Sequence, residues 1–179
     1  MSGEGEGKKR VRRLVLGVFI LLIILGLVFM YAYAEYDEYV EAVKSLQFNL
    51  FVGYYPLIGE DTYAFFIVFT IYNPSSKDLI ISDLSLSIYM EDYQITTLQC
   101  PQLYVRMGVP VTLTENLELK TSQIARFLTR RQLTFRAVGT AHLRIRVLSL
   151  PLTISIPIDS RYVHERLFDV GITISQVLD

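Results

Sequence analysis

The 179-residue chain has no tryptophan, one cysteine and two histidines, and each scarcity removes a class of explanation. Cys100 stands alone, so no intramolecular disulfide is available and any folded part must be held by its own core. It reads as a small buried hydrophobe. His142 and His164, even with Cys100, are too few for zinc ligation at motif spacing. The chain has no G-x-S-x-G elbow, no glycine-rich phosphate loop and no H-E-x-x-H pair. The acid pairs Glu60-Asp61 and Glu91-Asp92 lack the further oxygen donors that a calcium loop sets at fixed offsets. Asn73-Pro74-Ser75 is not a glycan acceptor, because proline occupies its middle position. The expectation is a non-enzymatic chain with no metal and no cofactor.

Excess charge of one sign is also missing: the net charge is −1. The little there is divides along the chain. Residues 1–13 carry five basic and two acidic side chains, a net of +3, and residues 35–179 carry twelve and sixteen, a net of −4. A mildly acidic domain without aromatics interleaved among basic residues is not built to bind nucleic acid.

What the chain does have is one long apolar run. Residues 14–34, LVLGVFILLIILGLVFMYAYA, hold no charge over 21 positions. At about 1.5 Å per residue, a helix of this length spans roughly the 30 Å of a bilayer's hydrocarbon. Lys8, Lys9, Arg10, Arg12 and Arg13 precede it, and Glu35, Asp37, Glu38 and Glu41 follow. Basic residues stay on the cytoplasmic side of a span, which places the tail inside and the rest of the chain outside. Tyr31, Tyr33 and Tyr36 suit an aromatic belt at the outer interface. Ala32-Tyr33-Ala34 has the small-x-small form of a signal-peptide cleavage site. The run, however, exceeds the roughly 7–15 residues of a signal h-region, and bulky residues continue up to the site. The reading is therefore an uncleaved, single-pass anchor in the cell membrane.

Beyond the run, residues 35–47 keep helical spacing as a short stalk. From Phe48 the period becomes two: Leu84–Ile88, Val111–Thr114, His142–Val147 and Leu152–Ile156 alternate, putting one face in a core and one in water. Tyr63–Tyr72 is more continuously apolar and reads as a central strand covered on both sides. Turn signals fall at Asn73–Asp78, Glu91-Asp92, Gly108–Pro110, Gly139 and Asp159-Ser160. Only Thr121–Gln132 has a helical pattern. Pro151 and Pro157 mark the strand between them as an edge strand or a short one. The fold expected is an all-β antiparallel sandwich of seven or eight strands, immunoglobulin- or fibronectin-like in architecture, over 48–158, preceded by one transmembrane helix. Residues 159–179 are a tail, with Gly171–Val177 as a strand that could join the sandwich or a partner.

Two features stand out as candidate sites. Pro74 fixes φ near −65° and extends the residue before it, while the Asn73 side chain can close an Asx turn, so this pair reads as a fold-setting corner. Arg126, Arg130, Arg131, Arg136, Arg144 and Arg146 form a candidate interaction patch for lipid head groups or an acidic protein.

The apolar strand, the Asn73-Pro74 turn, the following Leu-Ser-Leu strand, and Val138-Gly139-Thr140 leading into HLRIRVLSLPLTISIPI together resemble the type 2 late-embryogenesis-abundant family, also called the water-stress and hypersensitive-response domain. The resemblance covers about residues 46–158. It implies a β domain without catalytic residues, often behind a membrane helix, linked to stress protection and in some relatives to lipid handling. An accessory subunit of a larger membrane or envelope complex is the alternative.

Overall fold

A computed structural model of the chain describes residues 4–57, 61–128, 130 and 132–165. It opens with one helix, α1 (Glu4–Ser45), of 42 residues. The apolar run lies wholly inside α1, and its side chains are exposed along its length. Mean hydropathy reaches 3.0 there, with nothing among the described residues burying that apolar window. A helix apolar all round belongs in a core or a bilayer, and this one is long and apolar enough to cross a membrane.

The last turns of α1 dock on the domain. Ala42, and Leu46 just past the helix, are buried in its core, and Tyr39 and Val43 pack beside them. The strands follow: β1 (Gln47–Pro56), β2 (Thr62–Tyr72), β3 (Leu79–Met90), β4 (Tyr93–Cys100), β5 (Leu103–Val105) and β6 (Val111–Lys120); then α2 (Thr121–Leu128), β7 (Gln132–Val147) and β8 (Leu150–Glu165). They form an antiparallel β-sandwich of two sheets. One has the order β1-β2-β6; the other has the order β4-β3-β7-β8, with β5 also paired to β3. Alternate residues point inward: Phe65, Ile67, Phe69 and Ile71 from β2 meet Leu84, Leu86 and Ile88 from β3 and Phe135, Ala141 and Leu143 from β7. Each large side chain so buried contributes about 1.5–3 kcal/mol. Along one side β1 lies beside β8, where Ser160 donates to the Phe48 carbonyl at 3.2 Å and the Phe51 and Tyr162 rings sit 5.2 Å apart.

Several expectations change. Gly139 is not a turn but the middle of β7, opposite Leu86. A Cβ there would stand 1.9 Å from the Ser85 carbonyl oxygen, so the glycine permits close strand approach. Asp159-Ser160 likewise lies within β8, which runs on to Glu165, past the expected domain limit at 158. The two prolines sit on this strand, and β8 is an edge of its sheet, where a missing N–H costs no ladder bond. The strand is not short: it spans 16 residues. β2 is central in its sheet but covered on one face only, since Phe66 is exposed on the other. The helix expected to reach Gln132 ends at Leu128, with Ile124 and Phe127 buried. The possible strand Gly171–Val177 lies outside the described residues.

Candidate functional site

The chain leaves β2 at a corner built around one buried amide. Asn73 is fully buried. Its Oδ1 accepts from the Ser75 N–H at 3.1 Å and the Ser75 hydroxyl at 2.6 Å, closing the Asx turn. Its Nδ2 donates to the carbonyls of Lys77 at 2.7 Å and Val105 at 3.2 Å. Its own carbonyl accepts from Gly108 N–H at 2.8 Å. One side chain thus ties the β2–β3 turn to β5, and its backbone ties the loop beyond. Pro74 is exposed and keeps the chain turning. The Asn73 amide is thus fully hydrogen-bonded within the fold.

The arginines separate into two groups. At the end of the sandwich away from the α1 dock, the Arg126 guanidinium lies 4.4 Å from the Phe127 ring centre, with Asp92 at 3.6 Å. Arg130, just beyond α2, reaches Glu91 at 3.3 Å. The other Glu91 oxygen accepts from the Thr134 N–H at 2.9 Å. Arg136 on β7 pairs with Asp159 of β8, Nε to Oδ1 at 2.6 Å. That pair holds the Asp159 carboxyl below its ordinary range, chiefly through the hydrogen bond. Arg131 is outside the described residues. These side chains staple the turn and strands beside them.

Arg144 and Arg146 lie at the other end of β7. Eight strand positions separate Arg136 from Arg144, roughly 26 Å at 3.3 Å per residue. Both are exposed, and neither makes an ion pair among the described residues. They border a cleft of about 390 Å³ between α1 and the second sheet, with Tyr39, Asp78 and Tyr104. Asp78 is engaged by the Met107 N–H at 2.9 Å. On the same side Lys77 is salt-bridged to Glu38 and lies 4.5 Å from the Tyr39 ring centre. The hydrogen bond to Glu38 raises the pKa of Lys77 above the ordinary lysine value.

A larger open cleft of about 870 Å³ lies against the three-stranded sheet; of its lining residues, Tyr55 and Phe66 are exposed, Tyr54 and Phe65 turn toward the core, and Glu118 adds a carboxylate. Of the histidines, His142 Nδ1 lies 2.8 Å from Ser155 Oγ. These residues are cross-strand partners of β7 and β8. A nucleophile–base pair needs a third group to orient the base, and among the described residues no carboxylate bonds to this imidazole. The His164 ring lies tilted against those of Tyr54 and Tyr162, its centre 5.1 Å and 6.3 Å from theirs. No group of three His, Cys, Asp or Glu able to hold a metal occurs among the described residues.

No family model and no curated protein matches the chain. Solved structures overlap it weakly. A provisionally named ApaA protein from Bordetella pertussis is 16% identical with a TM-score of 0.42, covering 67% of this chain and 92% of that one. A protein from Archaeoglobus fulgidus is 12% identical with a TM-score of 0.35, covering 69% and 100%. A protein provisionally described as late embryogenesis abundant is 11% identical with a TM-score of 0.42, covering 84% and 90%. Overlaps at this level identify no family.

Proposed function

We propose that this chain is a single-pass, membrane-anchored β-sandwich module of the cell surface, non-enzymatic, with its tail in the cytoplasm and its domain outside, serving stress protection by binding lipid or protein. The observation that carries the reading is α1 itself: one unbroken helix joins an uncovered apolar run to turns packed in the domain core. An apolar rod of that size left in water would be an aggregation site, and a bilayer removes it from water. The basic residues before the run and the acidic ones after it support the orientation. The sequence resemblance to the type 2 late-embryogenesis-abundant domain supports the stress-related, ligand-binding role, and the cleft with the exposed Tyr55 and Phe66 rings is the apolar surface on which a lipid chain would lie.

The test is cysteine topology. In a Cys100→Ser background, single cysteines at Ser2→Cys and Tyr55→Cys are probed on intact cells with a membrane-impermeant maleimide. Labelling of Tyr55→Cys at once and of Ser2→Cys only after permeabilisation is expected. The opposite order overturns the orientation, and recovery of both in the soluble fraction overturns the anchor. Titration of the detergent-solubilised protein with a fluorescent fatty acid tests the lipid role; a flat, non-saturating signal removes it.

A further inference from the structure

The turn between β7 and β8 is built from unsuitable residues. Leu148 has φ 49° and Ser149 φ 68°, in a two-residue loop closed by the Val147–Leu150 pair. Two consecutive positive φ values in such a hairpin call for Asn-Gly or a similar pair. A side chain in that conformation crowds its Cβ against the following carbonyl oxygen. The apolar side chains are also in the wrong solvent for a water-exposed loop: Leu148 is 40% exposed, Leu150 66% and Leu152 42%. Strain and exposure together on one hairpin point to a use outside the fold's own stability.

The hairpin's position supplies the use. The Leu148 N–H donates to the Glu35 carboxylate at 2.9 Å. Glu35 is the first charged residue after the apolar run, so the turn is tied to the level at which the helix leaves the hydrocarbon. Arg144 and Arg146, unpaired among the described residues, stand on β7 just before the turn, in step on one strand face. Apolar side chains at the tip, with the free guanidinium of Arg146 one residue pair and that of Arg144 three residue pairs above the Val147–Leu150 closing pair, match the layering of a bilayer surface. There, acyl chains give way to phosphates, and arginine binds phosphate oxygens with a two-pronged donor set.

We propose that this hairpin is a second membrane contact: Leu148 and Leu150 enter the interfacial zone of the leaflet where the helix emerges, and Arg144 and Arg146 bind lipid phosphates there. The domain is thereby seated on the bilayer in one orientation instead of swinging from its anchor. This seat presupposes that residues 14–34 span the membrane.

The chain's lack of tryptophan makes the test direct. Full-length protein is reconstituted in phosphatidylcholine vesicles containing phosphatidylglycerol, as four single-tryptophan variants: Leu148→Trp, Leu150→Trp, Leu22→Trp within the run and Gln94→Trp, exposed at the far end of the sandwich. Quenching is measured with phosphatidylcholines brominated near the head group or deep in the chain. The seat requires Leu150→Trp to shift to the blue and lose most of its emission to the shallow quencher, and Gln94→Trp to be unaffected. Leu148→Trp should behave like Leu150→Trp; because its backbone is strained, Leu150→Trp decides if Leu148→Trp does not fold. Deep quenching of Leu22→Trp with an unquenched Leu150→Trp overturns the seat and leaves the anchor standing. Absence of quenching at Leu22 as well overturns both. Adding Arg144→Gln and Arg146→Gln to Leu150→Trp should reduce the shallow quenching; unchanged quenching removes the phosphate-binding part.

Discussion

Asn73 shows how much one side chain can organise. Its amide nitrogen satisfies two carbonyls and its amide oxygen two donors, with no exposed surface. Leaving buried carbonyls unpaired costs about 1–3 kcal/mol each. Asn73→Ala should therefore lower unfolding stability by roughly 3 kcal/mol, read from a denaturant midpoint. Asn73→Asp should be worse, since it aims a carboxylate at the Lys77 and Val105 carbonyls. A midpoint unchanged within error for either variant would refute the role. The Asx turn was legible from Asn-Pro-Ser alone. The reach to Val105 was not, because it joins residues 32 positions apart. Gly139 makes the opposite lesson: it reads as a turn in one dimension and proves to be a mid-strand contact in three. Gly139→Ala forces Cβ into the Ser85 carbonyl, so a loss beyond about 3 kcal/mol, at or above the usual limit for overpacking, is expected by the same measurement.

The strands of this protein announce themselves by alternation, and the apolar face of each went where period two puts it. Their lengths did not announce themselves. β8 runs through Pro157 and Asp159-Ser160 because it is an edge strand beside the long β7, which pairs with it from Gln132 to Val147. Cross-strand partners of this kind, Arg136 with Asp159 among them, are invisible until register is known. The same fact splits the arginine patch: residues close in sequence on β7 lie at opposite ends of the sandwich. The Arg136–Asp159 pair carries a pH signature. Asp159's folded pKa is depressed, so its stabilisation is present in full above the unfolded-state value of about 4 and disappears as pH falls through the folded value. Stability curves of the native chain and Asp159→Asn, measured against pH, should differ near neutrality and converge on acidification; a constant gap would contradict the pair's role. The β7–β8 turn offers a second test on the same scale. Leu148→Asn with Ser149→Gly relieves two strained positions and should raise stability by about 1 kcal/mol in detergent. No gain would mean that the turn is not strained.

For the whole molecule, the apolar run and its flanking charges were plain in the sequence, as was a β-sandwich. The docking of α1 was not, because Ala42 and Leu46 look like ordinary stalk residues until the core they enter is seen. That docking packs the end of the helix on the domain, with Glu35 and Glu38 bonded to it at Leu148 and Lys77. Everything proposed for function depends on residues 1–34 remaining attached in the mature protein. Intact mass of the protein extracted by detergent from native membranes tests this most directly. The account predicts a mass near the full 20.6 kDa. A mass short by residues 1–34 would mean cleavage after Ala34 and a freely secreted sandwich, and would contradict it.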